Sequence, residues 1–168
     1  MIILGIDPGT ATTGFGVVEA VPRLKWIDHG TIDTPKDMPA HERLLLLEQG
    51  LTQLFKKYKP ELVCVEKLYF FKNLKTALPV SEARGVVLLL AAKNKVVLEE
   101  LTPLQAKMAV TGYGKAEKKQ VQYMVQQILN LDDLPSPDDA ADALALAIAI
   151  SSAPFHIPSR GGLTRESK

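Results

Sequence analysis

The chain has 168 residues, of which 46% are hydrophobic, and its formal net charge is +1 at pH 7. This length fits one compact domain that can bury a sizeable core, and the near-neutral charge alone gives no indication of a nucleic-acid partner. The single cysteine excludes an intrachain disulfide, and we interpret Cys64 as a core residue because it lies within an apolar run. The sequence has neither a signal-peptide pattern nor an apolar stretch of the roughly 18 residues typical of a membrane span. We therefore expect a cytoplasmic protein.

The first part of the chain reads as three strands, a helix and a further strand. Short apolar runs predict strands over residues 1–6, 14–18 and 26–32, and the short turns between them favour an antiparallel meander. Apolar residues at helical spacing predict a helix over residues 39–59. The next run, residues 61–66, is nearly all apolar, which is typical of a strand with both faces covered.

The second part of the chain is mostly helical. We predict a helix over residues 76–93, a strand over residues 96–99, and two further helices over residues 103–110 and 116–129. A final helix is predicted to begin near Ser136, which has N-cap chemistry, with Asp139 three residues later as in a capping box. Residues 151–168 read as a loosely ordered tail, so the predicted domain covers residues 1–150.

Carboxylates end two of the predicted strands and gather at the start of the last helix. Asp7 and Glu66 each close an apolar run, and Asp139 and Asp142 lie one helical turn apart. Spacing alone leaves Asp138 open as an alternative to Asp139, and Asp139 also fits a purely helix-terminal role. The alanine-rich face of this helix would let it approach the sheet closely. Because buried acids are costly without a cation, the pattern predicts a site for divalent metal.

Magnesium suits such a site, since it takes oxygen ligands and usually keeps several waters. Four carboxylates could hold two ions, one activating an attacking water and the other stabilising the leaving oxygen of a displacement at phosphorus. The three histidines are widely separated in the sequence, which argues against a zinc site.

Lysines and aromatic residues form a second group of candidates. Lys67, Lys72 and Lys75 are interleaved with aromatic residues just after Glu66. Rings between lysines can stack on an unpaired base, although a satellite hydrophobic cluster under a loop fits the same pattern. The rings are Tyr69, Phe70 and Phe71.

Several motifs occur in order along residues 1 to about 150. They are Leu4-Gly5-Ile6-Asp7-Pro8-Gly9-Thr10, Val65-Glu66, Lys72-Asn73, Ala83-Arg84-Gly85-Val86, Ala116-Glu117-Lys118 and Asp139-Ala140-Ala141-Asp142. Together they resemble the RuvC family of Holliday-junction resolvases, within the ribonuclease-H-like nucleases. The resemblance implies an α/β fold with a ribonuclease-H-like mixed sheet, in which the first three strands are antiparallel and later strands parallel, flanked by helices.

The resemblance also implies roles for individual residues. The family's metal ligands match Asp7, Glu66, Asp139 and Asp142, which leaves Asp138 as a helix-terminus charge. Its DNA-binding residues match Lys107 and Lys118, with Lys119 as a neighbouring candidate. The aromatic that the family places near the junction crossover matches Tyr69, with Phe70 beside it.

The activity implied is that of a crossover junction endodeoxyribonuclease that serves homologous recombination and DNA repair. Two Mg²⁺ ions per site, or Mn²⁺ in their place, would support nicking of two strands of like polarity by a homodimer. The helix over residues 86–92 is apolar nearly all round, which fits a core helix and also a contact between the two copies of a homodimer. The RuvA and RuvB branch-migration proteins are the implied partners.

Three other functions fit parts of the sequence. A small actin-like nucleotide-binding protein would use Gly9-Thr10 to cradle a phosphate, but that fold normally needs a second domain. A non-catalytic junction-binding module would bind junctions without cutting them. A ribonuclease-H-like nuclease acting on RNA or RNA–DNA hybrids is a closer alternative.

Overall fold

The structure is a computed structural model that describes residues 1–9, 11–67 and 74–152, and of residues 74–76 the backbone alone. The strands are β1 (Ile2–Asp7), β2 (Thr12–Glu19), β3 (Lys25–Asp33), β4 (Leu62–Glu66) and β5 (Val97–Leu101). The helices are α1 (Ala40–Tyr58), α2 (Leu74–Lys93), α3 (Pro103–Thr111), α4 (Lys118–Leu129) and α5 (Asp138–Ser151). Each predicted element is present in this part of the chain, with ends shifted by at most two residues.

The strands form one mixed sheet in the order β3-β2-β1-β4-β5. The pairs β1–β2 and β2–β3 are antiparallel, whereas β4 is parallel to β1 and β5 is parallel to β4. This arrangement confirms the predicted antiparallel meander followed by parallel strands. Ile6 pairs in register with Val65, so the residues that follow them, Asp7 and Glu66, lie side by side at the carboxyl edge.

Helices cover both faces of the sheet. Successive side chains of a strand point to opposite faces, so Leu4 and Ile6 pack against α1 and α2. Ile3 and Cys64 face the other layer, formed by α3, α4 and α5. Cys64 is fully buried, and burial raises the pKa of its thiol to about 12. The interpretation of Cys64 as a core residue is confirmed.

Helix α5 lies unusually close to the sheet because glycines on β1 and β2 leave room for it. A Cβ atom added at Gly5 would lie 2.0 Å from the carbonyl oxygen of Ala143, and one at Gly14 would lie 2.1 Å from that of Asp139. The helix contributes buried alanines to the same contact, as the sequence predicted. Gly5 shares its strand face with Asp7, so the close contact brings the first turn of α5 toward the acid-bearing edge.

Replacing Gly14 with alanine should therefore destabilise the protein by about 1–3 kcal/mol, the usual cost of overpacking. The added methyl group meets backbone atoms of α5, which can move only if the helix moves. Gly85→Ala is the matched control, because a Cβ there meets nothing within 4 Å and alanine favours a helix. Urea denaturation of both variants measures the difference. Equal stability of Gly14→Ala and the wild type would contradict the proposed close packing.

The start of α5 differs from the sequence prediction. Its N-cap is Pro137, with an extended backbone (φ −70°, ψ 178°) and no side-chain capping hydrogen bond. Ser136 lies one residue before the cap, where its hydroxyl does not reach the free N–H groups of the helix. The predicted Ser136–Asp139 capping box is therefore wrong. Asp138 and Asp139 are both in the first turn, where negative charge favours the helix dipole.

Within the described residues, no helix is both long enough and apolar enough to cross a membrane. Most of the predicted tail, residues 153–168, lies outside the described part of the chain. The division into a domain over residues 1–150 and a loose tail thus stays a prediction.

Candidate active site

Two of the predicted site residues meet at the carboxyl edge of the sheet. Asp7 ends β1 and Glu66 ends β4, and both belong to the strand face covered by α5. Their side chains are partly buried and share a hydrogen bond. Two carboxyl groups can share a hydrogen bond only through a proton, so this contact favours either a shared proton or a cation between the two groups.

The first turns of α5 bring further carboxylates to this edge. Negative charge on Asp142 and on Asp139 raises the pKa of Asp7, which shows that both acids lie near β1. Asp139 lies farther out, where the negative charges of Asp138 and Asp33 raise its own pKa in addition to burial. Asp33, at the end of β3, is an exposed carboxylate that the sequence analysis did not select. The structure thus places all four predicted acids at the same edge of the sheet, with Asp33 at its margin.

Asp138 has a different environment from its neighbours. The ammonium of Lys118 lies 2.6 Å from the Asp138 carboxylate and 4.0 Å from that of Asp142. Backbone N–H groups at the start of α5 also donate to Asp138, and together with Lys118 they lower its pKa. These contacts match the helix-terminus role that the family resemblance implied for Asp138.

A cavity of about 190 Å³ joins the acids to the predicted basic residues. Glu66 and Asp142 line it together with Lys107 and Lys118. Lys107 is held in place because its ammonium donates to the backbone carbonyl of Ala116 at 3.0 Å. Carboxylates and ammonium groups in one cavity can bind a metal ion and an anionic phosphate side by side.

Asp7 has the most strongly shifted pKa of the acids. Burial, followed by the negative charges of Glu66, Asp142 and Asp139, raises the pKa of Asp7 from 3.8 to about 8. Burial also raises the pKa of Glu66 and of Asp142, although the positive charge of Lys118 acts in the opposite direction on both. Mutual repulsion of this kind is relieved when a divalent cation takes the place of the shared proton.

The donor set fits magnesium. All candidate ligands are carboxylate oxygens, which a hard cation prefers, and no His or Cys competes among them. Among residues 1–9, 11–67 and 74–152, no three His, Cys, Asp or Glu side chains are close enough to enclose one ion. An ion bound here would therefore take at most two protein ligands and complete its shell with water and substrate phosphate.

The shift at Asp7 leads to a prediction about stability without metal. Between about pH 4 and pH 8 the folded protein binds a proton at Asp7 that the unfolded chain has lost, because the pKa is about 8 in one and 3.8 in the other. The free energy of unfolding should therefore fall as the pH rises through this window. Asp7→Asn should flatten the fall, as measured by urea denaturation in EDTA at several pH values. If the free energy of unfolding falls with pH as steeply in the variant as in the wild type, the raised pKa does not belong to Asp7.

Of the remaining predicted residues, some lie outside the described part of the chain and others lie away from the cavity. Tyr69 and Phe70 lie outside the described residues, so their stacking role stays a prediction. Lys119 lines a separate cleft on α4. Arg84, which belongs to one of the family motifs, forms an ion pair with Glu100 and so links α2 to β5.

Gly5 and Gly14 permit the approach of α5, a role that the sequence motifs did not assign to them. In the sequence, Gly5 interrupts the apolar run before Asp7, and Gly14 lies two residues before a second glycine of the same strand, Gly16. A glycine inside a strand often marks a close backbone approach.

The sheet order, the change from antiparallel to parallel pairing, and the acids at the ends of β1 and β4 and the start of α5 define the ribonuclease-H-like class of α/β proteins. The family model described as "Crossover junction endodeoxyribonuclease RuvC" matches residues 3–150. The chain belongs to this RuvC family.

Curated relatives and solved structures agree with this assignment. A crossover junction endodeoxyribonuclease RuvC from Desulforamulus reducens is 54% identical over 88% of this chain and 91% of that protein. The relative from Fusobacterium nucleatum is 46% identical over 96% of this chain and 82% of its own length. The structure of Thermus thermophilus RuvC in complex with Holliday junction substrate is 34% identical with a TM-score of 0.82, and covers 89% of this chain and 92% of that one.

Proposed function

We propose that this protein is a crossover junction endodeoxyribonuclease that resolves Holliday junctions in homologous recombination and DNA repair. The single observation that carries the proposal is the cavity in which Glu66 and Asp142 face Lys107 and Lys118, in a chain of this family. The similar Thermus thermophilus protein, crystallised with Holliday junction substrate, supports the choice of a four-way junction as the DNA.

In this proposal the carboxylates of Asp7, Glu66, Asp139 and Asp142 hold two Mg²⁺ ions, with Mn²⁺ able to replace them. When bound, such ions activate a water for attack on the phosphodiester and stabilise the 3′-oxygen that leaves. Asp7 gives up its proton on loading, so stronger loading is expected at higher pH.

The lysines act on the DNA strand. Lys107 is held by the Ala116 carbonyl, so its ammonium is in position at the cavity wall before the substrate arrives. Lys118 is held between Asp138 and Asp142, and it can exchange these contacts for a phosphate oxygen as the strand enters. Their positive charge also offsets the repulsion between DNA and the acids.

We also propose a homodimer, which would place two such sites on one junction and nick two strands of like polarity. Support comes from α2, where Leu78 and Leu89 are 64% and 52% exposed. Large apolar side chains on one face of a helix are typical of a contact between copies. The RuvA and RuvB partners and the cytoplasmic location follow from the family resemblance and the DNA substrate.

Lys107→Ala and Lys118→Ala should each weaken junction binding in a salt-dependent way. Each ammonium that neutralises a phosphate releases condensed counterions, so losing one should flatten the slope of log K against log salt by about 0.9. Fluorescence anisotropy across a salt series in EDTA measures the slope.

The matched control is Lys56→Ala, which removes the same charge from an exposed position on α1, on the opposite face of the sheet. It should leave the slope unchanged. If Lys107→Ala and Lys118→Ala behave like Lys56→Ala, these lysines do not contact phosphate.

The proposed function is tested by comparing substrates. With Mg²⁺, the wild-type protein should cut a four-way DNA junction and leave an RNA–DNA hybrid of the same sequence intact. Preferential cutting of the hybrid would instead establish the alternative ribonuclease-H-like activity. Binding to the junction without cutting in Mg²⁺ or Mn²⁺ would identify a non-catalytic junction-binding module.

A further inference from the structure

A second cleft lies beside the active-site cavity, at the connection between α3 and α4. Its volume is about 430 Å³, within the range of roughly 300–1,000 Å³ common for binding sites. Tyr113 and Tyr123 line it together with Lys119 and Met124. The two tyrosines are 58% and 55% exposed. The side of α4 that packs into the core consists of Val121, Val125 and Leu129, so the exposed Tyr123 is not needed for that packing.

Both rings are carried by backbone that local contacts hold in place. Gly112 adopts the left-handed conformation (φ 72°) that ends α3, and the N–H of Tyr113 then donates to the hydroxyl of Thr111 at 3.0 Å. Tyr123 lies one helical turn after Lys119 on α4, so the ring and the ammonium share a helix face. Rings on a fixed backbone lose little conformational freedom when a ligand stacks on them.

The cleft and the active-site cavity are neighbours, separated by one short segment of the chain. Ala116 lines the cleft, and its carbonyl accepts the hydrogen bond from Lys107, which lines the cavity. Lys118 and Lys119 are consecutive, and they point to the cavity and to the cleft respectively. A strand with a phosphate between Lys107 and Lys118 would thus have Lys119 within reach of a neighbouring phosphate.

We propose that this cleft binds the DNA strand that enters the active-site cavity, with a base stacked on Tyr113 or Tyr123 and a phosphate on Lys119. The proposal rests on the proposed nuclease function. Exposed rings beside a lysine form the usual platform for a single-stranded segment. The lysine-lined cavity next to it and the positive charge of Lys119 within it favour DNA over a protein partner.

The test uses the full-length protein and a four-way DNA junction in EDTA, so that binding is measured without cutting. The double variant Tyr113→Ser and Tyr123→Ser should raise the Kd at least about fivefold with little change in salt slope. The corresponding double phenylalanine variant should retain wild-type affinity, because it keeps both rings. Lys119→Gln should flatten the salt slope by about 0.9, whereas Lys56→Gln should not.

Two results would overturn the proposal. One is a Kd of the double serine variant within twofold of the wild type. The other is a changed sedimentation coefficient of that variant without DNA, which would identify the cleft as a contact between copies of the chain. Cutting of the junction by the wild type in Mg²⁺ is scored separately. Failure to cut would contradict the nuclease function, while the ratio of the Kd values would still report on the cleft.

Discussion

Asp7→Asn should reduce junction cleavage by about 10³-fold or more, because losing charge stabilisation at a metal site costs several kcal/mol and each 1.36 kcal/mol is a factor of ten. Junction binding should stay close to that of the wild type, since the phosphate contacts come from Lys107 and Lys118 on other elements. Glu66→Gln should behave in the same way, because Glu66 shares the hydrogen bond with Asp7.

A gel shift in EDTA and a nicking assay in Mg²⁺ on the same preparations measure both properties. The stability of Asp7→Asn serves as an internal control, since the variant should be at least as stable as the wild type at pH 8, where Asp7 repels its neighbours. Near-wild-type cutting by either variant would contradict the metal-site assignment.

Asp139→Asn should also abolish nicking, whereas Asp138→Asn should leave most of it. Asp138 contacts Lys118 and the N–H groups at the start of α5, and losing a helix-terminus charge costs about 0.3–1 kcal/mol of stability. The two residues are adjacent and the substitution is the same at both, so each variant is the matched control of the other. Single-turnover cleavage rates and urea denaturation of both variants separate the catalytic from the stability effect. Loss of nicking in Asp138→Asn but not in Asp139→Asn would show that Asp138 is the metal ligand.

The sequence was most informative where hydrophobic periodicity and end signals agreed. The apolar runs ending at Asp7 and Glu66 predicted two strands, and the nearly all-apolar character of the second predicted that both of its faces are covered. The two acids meet because the two strands pair in this register. Which strands become neighbours, and in which register, depends on tertiary structure and cannot be read from a single sequence. The family resemblance supplied that part of the prediction.

Local capping chemistry was less reliable. Ser136 and Asp139 have the residue types of a capping box, yet the helix begins after Pro137. A capping box instead forms at α3, where the side chains of Thr102 and Gln105 accept from each other's backbone N–H groups at 3.1 and 2.9 Å. Which of several matching pairs becomes the cap depends on where the helix must lie against the sheet, and for α5 that position is set by Gly5 and Gly14.

The ion pair of Arg84 with Glu100 shows another limit of motif reading. Arg84 lies in a family motif, but its guanidinium forms an ion pair with Glu100 of β5 and does not line the cavity. Side chains distant in sequence decide such pairings, so spacing does not predict them. In the same way, the electrostatic effect of Asp33 on Asp139 arises only because β3 and α5 end near one another.

In our proposal, the carboxylates of Asp7, Glu66, Asp139 and Asp142 form a metal-dependent centre that cuts a four-way junction symmetrically. The most direct test is to label each strand of the junction in turn and map the cuts made by the wild-type protein in Mg²⁺ and in EDTA. We predict nicks at symmetrical positions in two strands of like polarity, only with Mg²⁺, and duplex products that DNA ligase seals without further processing. Cutting in EDTA, cuts in strands of opposite polarity, or ends that ligase cannot seal would contradict the claim.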